Sequence, residues 1–299
     1  GAASSHQKKD YMMTNKSLRY LTLGFGVMAL MSMLPSVTFG APFVFSAAGP
    51  TPASIQGQVD AFRTQLGALN PNVVGSFGSG RREINWDGVP NALSSPNNFP
   101  PSFFNVNSPR GVIFSTPGTG FQVSANAAIA PVEFDNINPT YSSTFQTFSP
   151  QRLFTSVGSN ILDVTFFVPG TSTPAFVSGF GSVFTDVDLA NVTSLQFFDI
   201  DNNSLGTFFA PTANNGMSFL GVFFNGGEQV GRVRITNGNS ALGPNDGGPV
   251  DVVVMDDFIY GEPNAVQAVP EPATMLLLGT GLAGIAARGL KRRRVRRKL

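Results

Sequence analysis

The chain has 299 residues, no cysteine and a single histidine, His6. Disulfides, thiolate metal sites, His-ligated zinc and any Ser-His-Asp or Cys-His nucleophile system are therefore excluded from the body of the protein. The formal net charge of +1 hides an uneven distribution: between Ala41 and Pro270, seven arginines and no lysine stand against sixteen carboxylates, a net of −9. No nucleic-acid partner is expected, because such proteins present basic patches.

Residues 1–40 are expected to be an upstream segment followed by a secretory signal peptide, with Met12 or Met13 as the expected start. Lys16 and Arg19 form a short basic region, Leu21–Leu34 is apolar apart from Gly, Thr and Ser, Pro35 ends the run, and Thr38-Phe39-Gly40 offers a small-residue cleavage site before Ala41. An uncleaved N-terminal anchor is the alternative.

Residues 41–262 are expected to form one exported domain. Ile55, Val59, Phe62, Leu66 and Leu69 recur at helical spacing ahead of Pro71, which predicts a short helix over 53–69. Beyond about Asn72 the chain is rich in Phe, Val, Thr, Gly and Asn, and strands with tight turns are expected. Leu162, Val164, Phe166 and Val168 alternate along Ile161–Val168. Further strands are predicted at Gly181–Asp188, Val192–Asp199, Leu205–Ala210, Val230–Thr236 and Val250–Tyr260. Ser218–Phe224 is apolar on both faces, as in a buried central strand. The pattern predicts a mainly β protein: an antiparallel β-sandwich, jelly-roll-like, with one N-terminal helix. Residues 263–269 read as a linker.

Several side chains are candidates for chemistry. Adjacent Asp256 and Asp257 should point to opposite faces of a strand, both apolar, so at least one carboxylate is expected to be half-buried and to need neutralising. Ca²⁺, a hard cation taking six to eight oxygens, is one neutraliser, with Asp135, Asp186 and Asp188 as further ligands. A salt bridge to Arg232, Arg234 or Arg152 is the other, unless a bend exposes both groups. Asp199-Ile200-Asp201-Asn202-Asn203 starts like an EF-hand loop but has Ser204 where Gly is needed and Ala210 at position twelve, so a hairpin turn is expected. Trp86 either stacks against a sugar, such as an exopolysaccharide unit, or plugs the core beneath a long loop. Glu83, Asp87, Glu133 and Asp135 are the carboxylates a glycan hydrolase would draw on. No catalytic residue is assigned, and a non-catalytic protein is expected.

The last thirty residues carry the sharpest signal. Val269-Pro270-Glu271-Pro272 is followed by an uncharged run, Ala273–Ala287. As a helix this run measures about 22 Å, and reaching Leu290 brings it near a full bilayer span. Eight basic residues follow, among them Arg288, Lys291, Arg292, Arg293 and Arg294, which the positive-inside rule keeps cytoplasmic. The two prolines keep the preceding segment extended, a form that a membrane-embedded processing enzyme can grip.

Motif, span and basic cluster in this order resemble the PEP-CTERM sorting domain of bacteria, over about residues 269–299. An ordinary tail anchor is the plainer alternative. The same tail has also carried an ice-binding C-terminal label, which describes the tail only. The resemblance implies processing by an exosortase-type enzyme, a precursor anchored in the inner membrane through residues 270–299, and delivery to the cell surface or extracellular matrix. Gly80–Pro90 (GRREINWDGVP) and Asp251–Pro263 (DVVVMDDFIYGEP) are also similar to segments of a group of bacterial PEP-CTERM proteins. That similarity implies no activity.

Overall fold

A computed structural model describes residues 40–125 and 133–266, together with the isolated Gly281. The leader, Val269–Pro272, the tail helix and the basic residues from Arg288 onward lie outside these residues. Among the described residues no helix is long and apolar enough to cross a membrane.

In chain order the elements are β1 (Phe43–Gly49), α1 (Pro52–Leu66), β2 (Arg81–Ile84), a 3₁₀ turn (Asn91–Leu93), α2 (Phe103–Val106), β3 (Val112–Ser115), β4 (Gly120–Val123) and α3 (Tyr141–Thr144). Then follow β5 (Phe154–Val157), β6 (Ile161–Phe166), β7 (Ala175–Phe176), β8 (Gly179–Val187), β9 (Ser194–Asp199), β10 (Ser204–Phe209), β11 (Ala213–Phe223), β12 (Val230–Thr236), β13 (Val254–Gly261) and β14 (Asn264–Ala265). The protein is mainly β, with antiparallel strand pairing, as expected. One sheet runs β1-β11-β8-β13-β5-β4, with β2 also on β13; the second runs β10-β9-β12-β6-β3; β14 and β7 form a small ribbon.

The two large sheets bury a shared core. Leu162, Val164 and Phe166 of β6, Phe197 of β9 and Ile235 of β12 meet Phe180, Leu220, Val222 and Phe258 of the larger sheet. The other face of the larger sheet is covered by α1. Ile55, Val59, Phe62 and Leu66 pack on Val183, Met217, Phe219 and Ile259. This explains why β11 is apolar on both faces: Leu220 and Val222 face the second sheet, and Met217 and Phe219 face the helix. The helix ends three residues before the predicted Leu69. Gly67 takes φ +98, its N–H caps the carbonyls of Arg63 and Thr64, and Leu69 is exposed.

One expectation is corrected here. Residues 263–266 belong to the fold: Asn264 and Ala265 pair with β7, and Val266 N–H donates to Pro174 O at 3.2 Å. The glycine-rich stretch Gly75–Gly80 is fastened from below. Arg82 and Glu262, both fully buried, form a bidentate pair at 2.7 and 2.8 Å. Arg82 also donates to the carbonyls of Pro71 and Gly75, while Glu262 accepts the Phe77 N–H.

Candidate metal centre

Strand β8 ends in Thr185-Asp186-Val187, and Asp186 sits in the left-handed region at φ +68, which Asp tolerates better than most residues. The side chain is fully buried. Its Oδ1 accepts the Asn215 N–H at 2.7 Å, but Oδ2 has no hydrogen-bond partner, and neither does Oδ1 of Asp188. Asp246 comes from the loop before β13, where its Oδ1 accepts the Val252 N–H at 3.0 Å. Asp186, Asp188 and Asp246 each offer an oxygen, and these oxygens lie within 4.8 Å of one another. Asp251 stands beside them and accepts the N–H groups of Asp188 and Leu189 at 3.3 and 3.1 Å.

Among the described residues no arginine forms an ion pair with any of these four carboxylates. Burial, with the charges of Asp246, Asp188 and Asp251 adding to it, pushes the Asp186 carboxyl up to about 8. Burial, with the charges of Asp246 and Asp251 adding to it, pushes Asp188 up to about 6. A divalent cation reverses this logic, because it becomes the largest local charge and favours the ionised carboxylates. The geometry fits a hard ion. Oxygens about 2.3–2.6 Å from a central Ca²⁺ lie at most about 5 Å apart, which matches the observed cluster. Buried Asp186, with half-buried Asp188 and Asp246, can therefore hold a metal.

The remaining predicted ligands are not part of this group. Asp135 is half-buried beside Glu133. Asp256 and Asp257 are buried elsewhere and already satisfied. The pairing of β13 with β8 shifts between Met255 and Phe258, a bulge that inserts an extra residue. As a result Val253, Met255, Phe258 and Tyr260 all face the core, and strict alternation breaks at the two aspartates. Both carboxylates then reach Ser149, whose Oγ lies 3.1 Å from Asp256 Oδ1 and 2.8 Å from Asp257 Oδ1. Asp256 Oδ2 accepts the Phe148 N–H at 2.6 Å, and Arg63 Nη2 donates to Asp257 Oδ2 at 3.3 Å. Burial first, and the Asp257 charge second, hold the Asp256 carboxyl well above the usual range.

The salt bridge is thus to Arg63 on α1, not to the arginines that the sequence pointed to. Arg232 and Arg234 bind Asp163, while Arg152 donates to Ser124 O and Asn91 Oδ1.

Trp86 is 1 % exposed. It stacks on Phe154 at 3.9 Å, meets Phe258 and Phe104 edge-on, and donates Nε1–H to Asp256 O at 2.7 Å. A sugar platform needs an open indole face, so the sugar-stacking expectation is corrected: Trp86 is the core plug. The Asp199–Asn203 segment is the expected hairpin turn, with Asp199 Oδ1 accepting the N–H groups of Asp201 and Asn203 at 2.9 and 2.8 Å.

Sequence reasoning found Asp186 and Asp188 but missed Asp246 and Asp251. The available signal was the stretch GPNDGGPVD, where two carboxylates sit among turn residues with no basic neighbour.

Comparison with known proteins adds one firm result. The PEP-CTERM protein-sorting motif matches residues 268–294. The chain is thus an exported sandwich protein with a C-terminal sorting signal. The motif implies a membrane-anchored precursor processed by an exosortase on its way to the cell surface. No curated protein matches the chain. A similar solved structure is the enzymatically active domain of tailspike protein 4 of bacteriophage CBA120, at 16% identity over 58% of this chain and 22% of that chain. Its TM-score of 0.26 carries no argument about fold or function.

Proposed function

We propose that this protein is a non-catalytic exported domain, braced by Ca²⁺ at Asp186, Asp188 and Asp246, and delivered to the cell surface through its sorting tail. The sorting motif at residues 268–294 carries the reading. In this reading residues 12–40 act as the cleaved leader, and Pro270-Glu271-Pro272 marks the segment that the exosortase-type enzyme grips before the anchor is removed.

Two observations support a structural rather than catalytic role. The body of the protein contains no histidine or cysteine. Among the hydrolase candidates, Glu83 is held by Arg63 and Arg81, and Asp87 accepts Asn85 Nδ2 at 3.0 Å and Gln151 N–H at 2.6 Å.

Calcium is favoured over magnesium because magnesium retains water and demands a near-ideal octahedron, whereas this cluster is built largely of protein carboxylates. The test has two arms. Co-expression with an active exosortase should shorten the chain by its tail, and an inactive enzyme should leave the anchored precursor intact. Isothermal titration of the purified chain should show Ca²⁺ binding that Asp186→Asn abolishes. Unchanged mass in the first arm overturns the sorting role, and silence in the second overturns the metal.

A further inference from the structure

We propose that the loop Leu69–Phe77 is a lipid-contact surface, resting on the membrane beside the anchor while the precursor is tethered. Large apolar side chains are exposed at nine places among the described residues, and four of them are in this loop: Leu69, Val73, Val74 and Phe77. Val74 is 65 % exposed and Phe77 50 %. From Asn70 to Ser79 the chain has no charged residue. An uncharged loop presenting four large apolar groups to water is costly unless something covers it.

These side chains cannot turn inward. The carbonyls of Pro71 and Gly75 and the N–H of Phe77 are already bound to the buried Arg82–Glu262 pair, and Gly75 N–H donates to Pro169 O at 2.8 Å. The backbone is fixed with the apolar groups outward.

The position of the loop identifies the occupant. The described chain leaves the fold next to it: Ser76 Oγ and Asn264 Oδ1 lie 2.8 Å apart, and Asn264 Nδ2 donates to Gly78 O at 3.2 Å. From Gln267 to Pro272 only six residues separate this exit from the apolar run. Six residues span at most about 20 Å even fully extended. An anchored precursor therefore holds this end of the sandwich close to the bilayer surface.

Of the other five exposed apolar groups, Phe43, Val44, Val106 and Ile200 lie toward this end, and Phe209 lies at the opposite end of β10, against Ser194. Phe43 and Val44 open β1 against Phe223 and Val222, which pair with Gly179 and Phe180 at the exit end of β8. Val106 closes α2, whose Asn105 accepts Gly170 N–H in the turn that packs on Val74. The four-carboxylate cluster sits at the opposite end of β8, away from anionic headgroups. The Asp199–Asn203 turn at the exit end is charged, so the contact is confined to the loop side. With a body charge of −9 and no free lysine, the attraction is apolar and depends on the tether.

The inference rests on the anchored precursor, and the test separates the two. The full chain is reconstituted into phosphatidylcholine–phosphatidylglycerol liposomes with or without lipids carrying a shallow doxyl quencher. Trp86, the only tryptophan, is buried and serves as an unquenched reference. Phe77→Trp and Val74→Trp report on the loop, and Ser142→Trp, exposed on α3, reports on the far end. The added fluorescence of the two loop variants is expected to fall at least twofold with quencher, and that of Ser142→Trp to match quencher-free vesicles. If the chain floats with the liposomes and the loop variants respond no more than Ser142→Trp, the lipid contact is overturned while the anchor stands. If the chain does not float, the anchor fails and the lipid contact falls with it.

Discussion

Asp186 and Asp246 are sixty positions apart in the chain, yet each brings an oxygen within 4.8 Å of the other and of Asp188. A metal at this point joins the end of β8 to the loop before β13. Asp251, on that same loop, already holds the backbone after β8 through the N–H groups of Asp188 and Leu189.

Chelation should therefore lower the thermal unfolding midpoint. Ca²⁺ at a hundredfold excess over its dissociation constant contributes about 2.7 kcal/mol, or roughly 5–10 °C for a domain of this size. EGTA should remove that increment, Ca²⁺ should restore it, and Mg²⁺ should not. Asp186→Asn should abolish the calcium response and leave the metal-free midpoint equal or higher, because it removes a buried, uncompensated carboxylate. Scanning calorimetry of wild type and variant, each with EGTA and with Ca²⁺, checks both statements.

The Asp256–Asp257 pair predicts a pH dependence of opposite sign to that of an ordinary salt bridge. Burial raises the folded-state pKa of Asp256 above its value of 3.8 in an open chain. The native state therefore binds the proton more tightly than the unfolded state. Its contribution is fully present below the unfolded pKa and is lost as pH rises toward the folded one. Asp256→Asn fixes a neutral side chain that still accepts the Phe148 N–H, so it should flatten the decline on the alkaline side. Asp256→Leu should instead cost about 1–3 kcal/mol by leaving that N–H unpaired. Urea unfolding of the three proteins from pH 5 to 8, in EGTA, distinguishes these outcomes.

How far the sequence reveals this arrangement depends on what sets each feature. β6 is legible because one face is buried and the period of two survives in Leu162, Val164 and Phe166. β11 is legible as a central strand because both of its faces are covered, by α1 and by the second sheet. The bulge at Asp256–Asp257 is not legible. Read as a regular strand, the segment puts Met255 and Phe258 on opposite faces, and only the pairing with β8 shows that they share one. Arg63 as the partner of Asp257 is hidden for a similar reason, since the contact spans 194 positions. Asp246 lies in a glycine-rich loop without periodicity, so only its uncompensated charge could have drawn attention to it.

The buried pair Arg82–Glu262 ties β2 to the last turn before β14, and both side chains are fully enclosed. Glu262→Gln leaves a guanidinium uncompensated in the interior, and breaking such a pair typically costs about 3–5 kcal/mol. The loop above should loosen at the same time, because the Phe77 N–H and Asn70 Nδ2 also end on Glu262. Hydrogen exchange should show early loss of protection at Phe77 in the variant, with the wild type protected. Equal protection in both would mean that the loop is held by its other contacts, chiefly Gly75 to Pro169.

Trp86 provides the clearest separation between packing and binding roles. Its ring is enclosed by Phe99, Phe104, Phe114, Phe154 and Phe258. Trp86→Ala should therefore destabilise by about 3–5 kcal/mol. Trp86→Phe keeps most of the ring volume but leaves Asp256 O without its Nε1–H donor, so it should cost less and still measurably. In the wild type the indole should emit at short wavelength and resist iodide. Efficient iodide quenching of the folded protein would place Trp86 at the surface and return it to consideration as a sugar platform.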